Sequence, residues 1–199
     1  MPPPDDPLAI ERRFGVRLTV QGYGMTECSG LVSTMHPQDA RTRIGFAGRA
    51  IIGTEVRIAF DRDALYLGVT AFDSEPDKWL GFQRRRDEFL SSDDRFMWRI
   101  DTFLDERSGY FFEMNPSGMM GDSLMGGGID NRQWDGIWNA RVDRNDQGWS
   151  IEIEIPFRSL NFDPNNDEWG INFQRTVRRK NEDSIWMGHA RNQGVRRMT

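Results

Sequence analysis

Two carboxylates, Asp101 and Glu113, stand in neighbouring strand-like runs of this chain. Such a pair could hydrolyse a glycosidic bond, one group as acid and the other as nucleophile or base. Residues 94–104 alternate, with Phe96, Trp98 and Ile100 on one face and Met97, Arg99 and Asp101 on the other. If Phe112 and Met114 are core, Glu113 takes the same outward side. If Trp169, Ile171 and Phe173 point inward, Asn172 and Gln174 do so too. Arg99, Asp101, Glu113, Asn172 and Gln174 are therefore expected to share one polar sheet face. Such a face suits a polyhydroxylated ligand, because planar polar groups meet hydroxyls and an aromatic ring covers an apolar one. Cross-strand neighbours lie within about 5 Å, so Asp101 and Glu113 are the pair on which a retaining hydrolase rests. The competing reading is an ordinary sheet surface.

Other chemistries find less support. His36 and His189 lie in unrelated contexts, with no Ser/His/Asp arrangement and no zinc-ligand spacing. Asp73, Asp93 and Asp94 are candidate calcium ligands, since calcium takes several oxygens; turn capping competes with that reading, and no other cofactor is expected. Cys28 is the single cysteine, so no internal disulfide forms. With 26 basic and 31 acidic residues the net charge is −5, which argues against nucleic acid as the main partner. Arg84-Arg85-Arg86 and Arg178-Arg179-Lys180 read as solvated local exceptions. No apolar run is long enough for a membrane helix, and the start, rich in Pro and Asp, is no signal peptide. As written, the chain is expected to be cytoplasmic and soluble.

The elements that must hold these residues are strands. Residues 54–60 and 64–72 read as two strands around the turn Asp61-Arg62-Asp63, and 136–143, 148–155 and 169–176 as three more. Trp149, Ile151, Ile153 and Ile155 alternate with Ser150, Glu152 and Glu154, the mark of a sheet with one buried face. Residues 118–131 read as a long loop, 156–160 as a helical turn and 185–189 as a last strand. Nearer the N-terminus, 8–14 suggests a short helix, 16–21 a strand, and 22–53 a loop-dominated stretch. The expected fold class is all-β, an antiparallel β-sandwich of jelly-roll type with an irregular N-terminal extension over 1–53 and the sandwich over 54–199. Trp98, Trp149 and Trp169 alternate as core, and Trp134 and Trp138 read as loop anchors.

Two sets of motifs resemble known families. Tyr23-Gly24-Met25-Thr26-Glu27, with Gly45-Phe46-Ala47-Gly48-Arg49 and residues 53–58, is similar to the corresponding stretch of adenylate-forming acyl-CoA synthetases. In that family the Tyr lies near adenine, the Thr contacts phosphate and the Glu helps hold magnesium. The phosphate loop, ribose-binding Asp and catalytic Lys that adenylation also needs do not stand among these residues, so the fragment is expected to serve as scaffold or to be left mobile. Residues 54–199 resemble the family-nine-like carbohydrate-binding domain, which in bacteria often precedes an outer-membrane β-barrel. The resemblance rests on Asp73-Ser74-Glu75-Pro76, Asp93-Asp94, Ile100-Asp101-Thr102-Phe103, residues 110–116, Trp134-Asp135-Gly136-Ile137-Trp138, Glu154-Ile155-Pro156-Phe157 and residues 169–175. It implies ligand contacts from Gln174 and Trp186. A second sandwiching aromatic of that family aligns near Ser91, and a ligand-binding Arg near Glu113. The family's usual N-terminal strands are replaced by the first fragment, whose 16–21 run is expected to supply an edge strand. Related domains are secreted or associated with the outer membrane.

The leading expectation is a non-catalytic carbohydrate-binding module using Trp186, Gln174, Asn172, Arg99 and Glu113. A weak glycoside hydrolase using Asp101 and Glu113 is the alternative, and a structural fusion product without ligand the third. Exposed strand edges leave room for a homodimer.

Overall fold

The computed structural model describes residues 53–166 and 168–186, together with two short N-terminal strands, Tyr23–Met25 (β1) and Gly30–Ser33 (β2), that pair antiparallel. Ten further strands follow: Thr54–Phe60 (β3), Ala64–Phe72 (β4), Arg95–Asp101 (β5), Gly109–Met114 (β6), Met120–Gly126 (β7), Ile129–Asn131 (β8), Asn139–Asn145 (β9), Gly148–Pro156 (β10), Gly170–Val177 (β11) and Glu182–Ile185 (β12). They form two antiparallel sheets, a four-stranded one in the order β3-β4-β10-β9 and a six-stranded one in the order β12-β11-β5-β6-β7-β8. The fold is a β-sandwich, as the alternation requires. Among the described residues no helix is long and apolar enough to cross a membrane.

The period of two sets both inner faces. On the four-stranded sheet, Ile58, Leu67, Ile153 and Ala140 lie side by side across β3, β4, β10 and β9. Val56, Val69, Ile151 and Val142 make the next row. Glu152 faces Arg141 on the outer side, an opposite-charge cross-strand pair. On the six-stranded sheet a series of rings faces these rows. Phe96 stacks on Phe173 at 5.8 Å and on Trp98 at 5.9 Å, and Trp98 stacks on Phe112 at 5.3 Å between centroids. Trp138 meets both Trp98 and Phe112 edge-on. These geometries are the ones aromatic quadrupoles favour, and they add to the area the rings bury.

Several expectations change. The region 118–131 is a hairpin, β7–β8, instead of a loop. Its turn is Gly127-Gly128, both with positive φ (59° and 81°), as a two-residue primed turn demands. The alternation of β7 is hidden in sequence because its inward Met120, Asp122 and Leu124 include a carboxylate. Part of the stretch expected to be loop forms β1 and β2, which places Tyr23-Gly24-Met25 on a strand. The last strand begins earlier than expected, at Glu182. The expected helix at 8–14 and strand at 16–21, His36, His189 and the end of the 185–189 run lie outside the described residues.

Gly53, at the start of the sandwich, joins its two layers. Arg175, on the inward side of β11, is buried. Its guanidinium donates to the carbonyl of Gly53 and, at 2.7 Å, to that of Phe72. Burial pulls the Arg175 guanidinium below its ordinary value, while Asp73 and Asp94 oppose that shift. Gly53 also accepts the Phe72 amide at 2.7 Å and has φ of 68°. A Cβ there would lie 3.2 Å from Arg175 Nη1 and 3.3 Å from the Phe72 oxygen. Gly53→Ala should therefore cost about 1–2 kcal/mol, read as a lower urea midpoint with an unchanged m-value.

Candidate functional site

The outward face of the six-stranded sheet is where the sequence places its polar groups, and the register confirms the shared side. Asn172 faces Arg99, Gln174 faces Met97, and Met97 faces Glu113 on its other flank. The centre of this face is closed, however. Met97, Phe111 and Met125 form a second buried apolar cluster. Arg99, Asp101, Glu113 and Asn172 are buried beside it, and only Gln174 of the five retains partial exposure.

The buried polar groups have structural partners. Asp101 accepts the amides of Phe103 at 3.1 Å and Glu106 at 2.9 Å, shaping the loop after β5. Arg99 Nη2 donates to the Ser108 carbonyl at 3.1 Å. Burial pulls the Arg99 guanidinium below its ordinary value, and Asp101, Asp105 and Asp130 oppose that pull. Asn172 Oδ1 accepts the Phe173 amide at 2.8 Å. Gln174 Nε2 reaches Asp183 Oδ1 at 3.3 Å.

Asp101 and Glu113 are not brought together. Glu113 pairs with Met97, and Asp101 lies four residues farther along β5, roughly 13 Å away at ~3.3 Å per residue. That spacing exceeds a retaining pair, and both carboxylates are already engaged. Trp186 also departs from the expected face. Ile185 lies opposite Gln174, so the next side chain takes the other phase. Trp186 packs on Phe173 at 5.4 Å and joins the inner core. Gln174 and Trp186 thus stand on opposite faces of one sheet.

Asp73, Asp93 and Asp94 each serve as caps. Asp73 accepts the Glu75 amide at 2.9 Å and pairs with Arg179. Asp93 accepts Gln83 N at 3.0 Å and Asn115 Nδ2 at 2.8 Å. Asp94 accepts Leu80 N at 3.0 Å and Arg178 N at 2.5 Å. Among the described residues no group of three His, Cys, Asp or Glu side chains converges to hold a metal.

At one end of the outward face a charged strip stays within reach of solvent. Glu113 accepts Arg95 Nη1 at 2.9 Å on one oxygen and Arg132 Nη2 at 3.0 Å on the other. The Glu113 side chain is 2% exposed, against 24% for Arg95 and 20% for Arg132. Gly121, directly across from Glu113, leaves the room: a Cβ there would meet Glu113 Cγ at 3.1 Å and Arg132 Nη2 at 3.2 Å. Arg132 also lies over the ring of Phe89, 4.7 Å from its centroid, and Phe89 is 66% exposed. The loop carrying Phe89 is pinned by Arg86, which donates to Asp122 at 2.8 Å and to the Gly136 carbonyl at 2.9 Å. Asp87 N donates to the Met120 carbonyl at 3.0 Å, so this loop covers the part of the β7 edge that β8 leaves open.

Arg95, Arg132 and Phe89 were not singled out from sequence. Arg95 was readable, because it shares the outward phase of Met97 and Arg99. Arg132 and Phe89 meet only through a contact between distant loops, for which no local pattern exists.

Comparison with known proteins supports the architecture. No protein-family profile matches the chain. Over 49 residues, 25% of this chain, it is 43% identical to the 2-succinylbenzoate–CoA ligases of Listeria monocytogenes and Listeria innocua. The chain spans 10% of the length of those enzymes. Its fold is similar to that of a putative carbohydrate-binding protein from Bacteroides uniformis, with TM-score 0.56 and 12% identity over 67% of this chain and 68% of the other. It is also similar to a family 9 carbohydrate-binding module from Caldicellulosiruptor kristjanssonii. The cellotriose complex gives TM-score 0.52 at 14% identity over 73% of this chain and 69% of the other. The glucose complex gives 0.51 at 14% identity over 78% of each. At these identities the likeness is one of fold.

Two outcomes follow from the site's electrostatics. Glu113→Ala leaves two neighbouring guanidiniums without their shared anion and should cost about 3–5 kcal/mol, measured by urea denaturation. Burial holds the Asp122 carboxyl above the ordinary aspartate value, against the donors Trp138 Nε1, Gly136 N and Arg86. A raised folded value means tighter proton binding in the folded state, so this group's contribution weakens as pH rises through the window above the unfolded value. Asp122→Asn should therefore cost more stability relative to wild type near pH 4 than near pH 7.

Proposed function

We propose that this chain binds an oligo- or polysaccharide without cleaving it. Gln174, Arg95 and Arg132 supply the polar contacts, the buried Glu113 holds the two arginines in place, and Phe89 is the ring on which a sugar stacks. The observation that carries this reading is Phe89, an aromatic ring left 66% exposed while Arg132 holds one of its faces from 4.7 Å. A ring so immobilised loses little entropy on binding, and its open side suits the apolar face of a pyranose. The partly exposed Gln174 amide and the two guanidiniums offer donors for ring hydroxyls along the same band. The fold likeness to modules solved with cellotriose and glucose supports a carbohydrate as ligand. Trp186 belongs beneath this platform, where it backs Phe173. The CoA-ligase-like N-terminal stretch acts as scaffold in this reading, and Asp101 as a loop cap.

Affinity electrophoresis through gels containing soluble glucans, xylan and uronate polymers tests the proposal. At least one polymer should retard the wild type. Phe89→Ala should weaken that interaction by about tenfold, equivalent to roughly 1.4 kcal/mol. Mobility unchanged by every polymer, or retardation equal in Phe89→Ala, contradicts it.

A further inference from the structure

Resting on that reading, we propose that the sugar recognised by the strip carries a carboxylate, so that the ligand class is an acidic, uronate-type polysaccharide. The charge count at Glu113 is unbalanced, because two guanidiniums share a single buried carboxylate. Each guanidinium commits one terminal nitrogen to Glu113. Arg95 Nη2 and Arg132 Nη1 have no partner among the described residues, and both side chains keep a fifth or more of their surface exposed. The Nε of each is buried and likewise lacks a partner. The two arginines flank the same carboxylate, Arg95 from β5 and Arg132 from beyond β8, so the excess positive charge centres on Glu113. Planar guanidinium forks with excess positive charge and open N–H groups match a carboxylate.

The neighbouring loop adds two exposed arginines, Arg84 and Arg85, ahead of Asp87 and Glu88. Arg84 is exposed and makes no ion pair among the described residues, and Arg85 reaches Glu88 only at 3.8 Å. Arg86, by contrast, is consumed by Asp122 and Asp135. The local excess stands out in a chain whose net charge is −5, so bulk attraction to polyanions does not account for it. Phe89, beside Arg132, supplies the stacking surface that distinguishes an acidic sugar from a bare anion.

The test compares polygalacturonate and alginate with the same polymers after chemical reduction of their carboxyl groups, by titration calorimetry at low and high salt. At least one acidic polymer should bind tenfold or more tightly than its reduced form, with the ratio shrinking as salt rises. Arg132→Gln leaves Glu113 balanced by Arg95 alone, so it removes the excess charge while keeping an ion pair, and it should bring the ratio close to one. If that variant does not fold, Arg95→Gln makes the same change of charge, and the salt dependence of the wild type remains a readout. Equal or tighter binding of the reduced polymers overturns the acidic inference and leaves the broader sugar reading in place. Binding to neither form overturns both. Equally tight binding of inorganic polyphosphate, undiminished in Phe89→Ala, also overturns the inference, since charge alone would then suffice.

Discussion

The row of stacked rings Phe173, Phe96, Trp98 and Phe112 fixes the phase of three adjacent strands. Once these rings face the four-stranded sheet, the two-residue period leaves no choice for their neighbours. Gln174, Arg95, Met97 and Glu113 must then point the other way. A one-residue slip in any of these strands would send charges into the core and rings into solvent. The candidate site is thus a by-product of the core, positioned by apolar packing that it never touches. The same rule separates Gln174 from Trp186, because consecutive phases of β11 and β12 carry one outward and the other onto Phe173.

A few buried polar groups fasten the loops to this frame. Asp122 points inward from β7 and gathers Trp138 Nε1, the Gly136 amide and Arg86. It thereby ties the loop before β9 and the loop carrying Phe89 to one carboxylate. Asp93 and Asn115 are bonded to each other and hold the chain near Gln83. Arg175 spans the layers to reach Gly53 and Phe72. Removing one partner from such a network leaves a desolvated charge or amide behind, which costs more than the bond itself contributes. Backbone that would otherwise wander is held where the strip needs it.

The sandwich was legible in sequence wherever alternation was strong. Trp149, Ile151, Ile153 and Ile155 announce β10, and the ring-bearing runs announce β5 and β6. The β7–β8 hairpin was not, because Asp122 takes a core position that a hydrophobicity pattern scores as solvent. The outward side of Arg99, Asp101, Glu113 and Asn172 was read correctly, but their burial was not. Alternation reports direction, and burial depends on what lies above. The proximity of Asp101 and Glu113 failed on register, since residues on adjacent strands meet only if the hairpin aligns them. Arg132 on Glu113 and Phe89 under Arg132 arise from tertiary contacts spanning many residues, which leave no periodic trace.

In the proposed complex a carbohydrate lies along the strip bounded by Gln174 and Phe89. Side-chain NMR during titration with a bound oligosaccharide addresses it most directly, through the Nε–H signals of Arg95 and Arg132 and the amide of Gln174. These three signals and the Phe89 ring should shift together with one saturating affinity, while Trp186 moves little. Shifts confined to the four-stranded sheet, or a dominant response from Trp186 with the arginines silent, would contradict it.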